Sequence, residues 1–205
     1  MIIELLGMPG AGKTTLAQRI EDSTDFKIIR IKNKKELLKY NLIYLIKHPI
    51  KFIVTLYYII TNSDSWKMFY YKFTNLFLHH NAKYQKALSH EKAIIDQGYF
   101  QNFLAVFEKL LSSREMFRYL GNLLYPDILF FVDVDDDVAK KRLLNRPHRV
   151  RGNFDPEYVN NWIKIVSSNA QLLKNQLSQV KIKSFIINGN KTTDEITKEL
   201  EGIIK

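Results

Sequence analysis

Apolar and polar positions alternate along this chain in two registers. Short, nearly continuous apolar runs occur at Ile2 to Leu6, Lys27 to Ile31, Lys92 to Ile95, Ile128 to Val134 and Ser184 to Ile187, the pattern of strands covered on both faces. Longer segments with helical spacing lie between them at Thr14 to Glu21, Gln101 to Asn122, Asp136 to Arg146, Pro156 to Leu177 and Thr193 to Ile204, the last with Thr192 or Thr193 as its N-cap. Strands alternating with helices predict one α/β domain around a mainly parallel sheet.

The segment from Asn33 to Glu91 is far longer than one crossover needs and is read as a helical insertion. Pro49 divides it, because a residue before proline is steered out of helical geometry while proline suits a first helical position. One helix is expected to end near Lys47 and the next to start at Pro49. Phe52, Ile53, Val54, Leu56, Tyr57, Tyr58, Ile59 and Ile60 make that second helix apolar around most of its circumference, which predicts burial. Lys47, His48, Pro49 and Lys51 interrupt the apolar stretch from Leu42 to Ile60 and argue against a membrane span.

With 46% hydrophobic residues, the chain has enough apolar material for a substantial core. Its 31 Lys and Arg exceed its 21 Asp and Glu, giving a net charge of +10 that points to an acidic partner. The absence of cysteine removes disulfides and thiolate metal sites and fits a reducing cytoplasm; the N-terminus reads as a strand rather than a secretory signal.

Gly7-Met8-Pro9-Gly10-Ala11-Gly12-Lys13-Thr14 follows the first apolar run and opens a helix. It matches the phosphate-binding pattern of glycine, four residues, glycine, lysine and serine or threonine, in the required context. Glycines let consecutive N–H groups converge on an anion, and the helix N-terminus adds its positive end. The pattern assigns nucleotide binding to Gly7 through Thr15, with Lys13 reaching the terminal phosphates and Thr14 ligating Mg²⁺.

In these features the chain resembles the P-loop kinases of small molecules, most of all the nucleoside monophosphate and thymidylate kinase group, where a proline at the position of Pro9 is frequent. Asp96 after the third strand, Val132-Asp133-Val134-Asp135 before an arginine-bearing helix, and Ile187-Asn188-Gly189-Asn190 extend the likeness. The resemblance implies a three-layer α/β fold with a five-stranded parallel sheet in order 2-3-1-4-5. It also implies an acceptor-binding insertion over 33–91, an arginine-rich lid over 136–156, and ATP with Mg²⁺ as cofactors.

Asp96 then becomes the expected metal partner or proton acceptor, with Asp133 as its rival and a helix-capping role as the alternative. Two departures bear on the acceptor. Thymidylate kinases usually follow this aspartate with an arginine, where this chain has Gln97, and their Glu-Pro-Gly motif is missing from Ile29 to Asn33. A neutral hydroxylated acceptor suits Gln97, with Arg30 available to replace the lost cation.

Arg142 and Arg146 share a helix face, and Arg149 and Arg151 follow; their permanent charge suits a phosphoryl group in transfer, which makes Arg142 and Arg146 catalytic candidates and Arg149 a nucleotide contact. His148 is read as a loop residue, and Asn190 as a contact to the nucleotide base. No guanine-specifying motif is present. The aromatic, lysine-rich insertion suits a nucleotide, nucleoside, sugar or lipid-linked acceptor, and the partner expectations include peripheral membrane contact through 42–60 and a homodimer. No nucleic-acid module is recognisable. The leading expectation is an ATP-dependent phosphotransferase; the alternatives are a P-loop ATPase acting as a regulatory module and a basic nucleic-acid-binding ATPase.

Overall fold

The structure is a computed structural model that describes residues 1–144 and 155–204. Five parallel strands, β1 (Ile2–Gly7), β2 (Lys27–Ile28), β3 (Ala93–Ile95), β4 (Ile128–Asp133) and β5 (Lys183–Asn188), form a sheet in the order β2-β3-β1-β4-β5. This is the order expected above. β1 lies at its centre, with Glu4 in register with Ile95 on one side and Leu129 on the other. All six β1 residues are buried, because helices cover both faces.

The expected β2 is longer than the observed one. Ile29 still donates its N–H to the Ile94 carbonyl, but beyond it Arg30 is drawn to Glu21 (3.2 Å) and to Gln18 Oε1 (2.8 Å) of α1 (Lys13–Ser23). An edge strand has one neighbour to follow, and here that neighbour is itself three residues long.

The insertion folds into α2 (Lys34–Lys47), α3 (Pro49–Thr61), α4 (Trp66–Lys72) and α5 (His79–Ala87), with a π-helical stretch, Phe73–Leu78, joining the last two. Pro49 opens α3 as expected, and the preceding His48 leaves helical geometry at φ −135°. The burial expected of α3 does not hold. Only Thr55 and Ile59 are fully buried, while Ile50, Ile53, Tyr57 and Ile60 face outward. The helix packs on one side only, and an all-round apolar sequence does not say which side.

The helix expected from Gln101 to Asn122 is two helices, α6 (Tyr99–Val106) and α7 (Ser113–Leu120). Side chains hold the break open: Lys72 Nζ donates to the Val106 carbonyl (2.8 Å), and Asn169 receives the Leu111 N–H (3.0 Å) while donating to the Lys109 carbonyl (3.0 Å). Ser112 and Glu115 then form a reciprocal capping box that starts α7. The remaining helices are α8 (Asp136–Leu144), α9 (Pro156–Gln176) and α10 (Thr193–Ile204), the last capped by Thr192.

Candidate active site

The loop after β1 has the backbone that its glycines permit. Gly10 and Gly12 adopt φ +98° and +87°, left-handed values that a side chain resists. At Gly10 a Cβ would also strike the Ala139 carbonyl of α8, so the loop and the candidate lid helix are packed without room for a methyl group. Lys13 is folded back over the loop, its Nζ donating to the carbonyls of Gly7 (2.8 Å) and Met8 (2.9 Å).

The next residue faces the end of β3. Thr14 Oγ1 donates to Asp96 Oδ2 at 3.2 Å, and Asp96 Oδ1 pairs with Lys83 Nζ of α5 at 3.0 Å. Burial alone would push the Asp96 carboxyl up, but the Lys83 charge and the hydrogen bonds from Lys83 and Thr14 outweigh it and hold the carboxyl below its ordinary value. The rival Asp133 points elsewhere, into an ion pair with Lys174 of α9 at 2.6 Å. The structure therefore joins Asp96, and not Asp133, to the loop threonine.

A cleft of about 170 Å³ opens beside Thr14, with Gln97, the neighbour of Asp96, on its wall. Pro9, Lys13 and Thr14 line it from the loop, Tyr71, Asn75 and His80 from the insertion, Gln97 and Gln101 from the segment after β3, and Trp162 from α9. Among these described residues Lys13 is the only charged side chain. His80 is buried, and burial with the nearby Lys83 charge pushes its imidazole down to about 3, so it is neutral. Arg30, expected as a substitute cation, is held against α1 and does not line the cleft.

Beneath the cleft lies a carboxylate with no assigned part in the sequence reading. Glu4 is fully buried in β1 and accepts hydrogen bonds from the Tyr84 hydroxyl and from the N–H groups of Phe100 (2.8 Å) and Gln101 (3.0 Å). It thereby caps the α6 N-terminus from a neighbouring strand and ties α5 and α6 to the strand that carries the phosphate loop. Desolvation outweighs these bonds and pushes its carboxyl up to about 7. Gly98 is pressed against Glu4; a Cβ there would meet the carboxylate. Gln101 completes the link by accepting the Gly7 N–H at 3.2 Å.

A second cleft, of about 270 Å³, lies on the other side of the loop, where Gly12 and Thr15 meet Arg142 of α8 together with Gly189 and Lys191. Arg142 thus reaches the loop. Asn190 does not line this cleft; its N–H is turned to Asn188 Oδ1 (3.0 Å), while the adjoining Gly189 lines it and is packed so closely on Val134 that a Cβ there would strike that side chain. Arg146, His148, Arg149 and Arg151 lie outside the described residues.

Sequence reasoning missed Glu4, Lys83 and His80. A charged residue centred in a strand covered on both faces was a visible signal for Glu4. Lys83 and His80 carried none, because each looks like any other polar residue of an aromatic, lysine-rich helix.

No protein-family model matches the sequence, and no curated protein matches it. Solved structures match along its whole length. Deoxyadenosine kinase from M. mycoides with bound dATP superposes with a TM-score of 0.62 at 16% identity, covering 100% of this chain and 99% of that one. The same enzyme with the products dCMP and dCDP gives 0.60 at 16% identity, covering 100% and 98%. The YorR protein of Bacillus subtilis in complex with phosphorylated GDP gives 0.52 at 16% identity, covering 100% and 95%. The chain is therefore built on the P-loop fold that these nucleotide-binding proteins share.

Proposed function

We propose that this protein transfers the γ-phosphoryl group of ATP, with Mg²⁺, to a small neutral acceptor bearing a hydroxyl. The observation that carries the reading is the joint geometry of Thr14 and Asp96: the hydroxyl that follows the loop lysine lies 3.2 Å from a carboxylate at the C-terminal end of β3.

The residues present fit both cofactors. A left-handed backbone at Gly10 and Gly12 forms a cradle that a Cβ would fill or strain, and its N–H groups suit a polyphosphate. A hydroxyl beside an ionised carboxylate is an oxygen donor set suited to a hard divalent cation. Mg²⁺ would be held by Thr14 with Asp96 behind it, and supplies neutralisation of the charge that develops on the phosphates.

The chain's own groups account for the remaining requirements. Lys13 exchanges the carbonyls of Gly7 and Met8 for phosphate oxygens, whose negative charge adds an ion pair to the hydrogen bond. Arg142 approaches from α8 and stabilises charge on the transferring group, together with Arg146; Arg149 contacts the nucleotide. Asp96 is held below its usual range, and the basicity of a carboxylate falls with its pKa, which favours a metal-orienting part over proton abstraction. Lys83 fixes that state.

A cleft that among the described residues has no charged lining but Lys13, and has Asn75, Gln97, Gln101 and neutral His80 along its walls, supports an uncharged polar acceptor over a phosphorylated one. The reading is tested by measuring ADP formation with pooled neutral hydroxylated metabolites, nucleosides and sugars among them, against pooled phosphorylated ones. A neutral pool should raise turnover above the basal rate, and the rise should vanish in Lys13→Ala. Stimulation by phosphorylated acceptors alone refutes the neutral-acceptor reading, and no stimulation by either pool refutes phosphotransfer.

A further inference from the structure

The outward face of the insertion has a composition that nucleotide chemistry does not call for. Most of the strongly exposed large apolar side chains among the described residues lie between Leu38 and Tyr70, and Ile46, Ile50 and Trp66 are 70%, 73% and 76% exposed. They are not scattered. Leu38, Leu42 and Ile46 follow one another at four-residue steps along α2, and Ile50, Ile53, Tyr57 and Ile60 at steps of three and four along α3. Each set therefore forms a stripe on one helix face, and soluble monomers seldom leave so many large apolar side chains open on adjoining helices.

Cations outnumber anions along the stripes. Lys34, Lys35 and Lys39 are exposed on α2 and sit three or four residues from Leu38 or Leu42, so they share its apolar side; Lys47 is exposed at its end. From Asn33 to Tyr70 six lysines face two acidic residues, Glu36, already paired with Lys86 at 2.7 Å, and the exposed Asp64 beside Trp66. Exposed Trp66 and Tyr70 extend the surface beyond α3 with amphipathic rings of the kind found at the membrane–water boundary.

No single helix among the described residues is long and apolar enough to cross a membrane. α2 and α3 together have the required length and composition, but they are bent by 115° at His48. That geometry suits lying on a bilayer, with apolar side chains in the headgroup boundary and lysine stems reaching back to lipid phosphates.

We infer that the outer face of α2 and α3 docks on an anionic lipid surface. Charge complementarity selects this occupant: a second copy of the chain would bring the same surplus of lysines to the contact, whereas an anionic leaflet neutralises it. The inference goes beyond phosphotransfer and is read without it.

The test is co-sedimentation of the full chain with vesicles of equal parts phosphatidylcholine and phosphatidylglycerol, and with vesicles of phosphatidylcholine alone. Binding to the anionic vesicles is expected, weaker at high salt and weaker still without phosphatidylglycerol. Lys35→Glu with Lys39→Glu should reduce affinity at least tenfold, at roughly fivefold per lysine removed. Ile50→Asp with Ile53→Asp should abolish it. Both variants change exposed side chains, and their ATP affinity and melting profile should match the parent, which separates loss of docking from loss of folding. Absence of vesicle binding by the parent protein at low salt overturns the inference. So does a stable dimer in sedimentation velocity that Ile50→Asp converts to monomer, because that result assigns the face to a second copy.

Discussion

Glu4 offers a perturbation whose size can be worked from the structure. The carboxyl is fully buried, and desolvation moves it from its ordinary 4.5 to about 7 despite three hydrogen-bond donors. At about 1.4 kcal/mol per tenfold change in proton affinity, ionised Glu4 costs the folded state about 3 kcal/mol relative to the protonated form. The sign follows from the raised value. The stability that this group contributes is fully present below pH 4.5, is lost as pH rises toward 7, and is absent above it. Glu4→Gln keeps the shape and an acceptor for the Phe100 and Gln101 N–H groups, and it cannot ionise. The variant should therefore gain on the parent by about 2.5 kcal/mol between pH 5 and pH 8, which in a chain of this size is roughly 5–10 °C in Tm. Paired denaturant or thermal melts at the two pH values measure this directly, and comparison at each pH cancels the titration of other groups such as His80. A difference between parent and variant that stays constant with pH would refute the reasoning and mean that Glu4 is ionised throughout.

Two further predictions concern the loop and its carboxylate. Lys83→Met removes the charge that holds Asp96 low, so the Asp96 carboxyl should rise and the acidic limb of the kcat/KM profile should move to higher pH; an unmoved limb would exclude Asp96 as its source. Gly10→Ala places a methyl group against the Ala139 carbonyl at φ +98°, so ATP affinity should fall sharply and stability by about 1–3 kcal/mol, as read by nucleotide titration and a thermal melt.

How much of this was legible beforehand depended on whether the signal was local. The phosphate loop was readable because its glycines, lysine and threonine act within a few residues of one another, and β1, β3 and β4 because both faces of each are covered; β5 was expected to be covered too, yet Ile186 is half exposed. The site partner of Asp96 was not, since Lys83 lies on another element, α5, and only the packing of that helix decides which of its polar residues meets the end of β3. Arg30 failed as a cleft residue for the same reason: Gln18 and Glu21, on the preceding helix, claim it first. The division of α6 from α7 was written in Ser112-Ser113-Arg114-Glu115 as a capping box, but the apolar spacing on either side masks it. α3 marks the opposite limit. A helix apolar on all sides reads as core, and only the packing of its neighbours leaves Ile50 and Ile53 outside.

The central claim is that the γ-phosphoryl group goes to an acceptor held in front of Asp96, and the fate of that group is the most direct measurement. Enzyme is mixed with γ-labelled ATP, Mg²⁺ and the pooled neutral acceptors, and the label is followed through a single turnover. Label recovered on an organic acceptor, and lost in Lys13→Ala and Asp96→Asn, is the predicted result. Label appearing only as inorganic phosphate, at a rate the acceptors do not change, would contradict the account and leave an ATPase in its place.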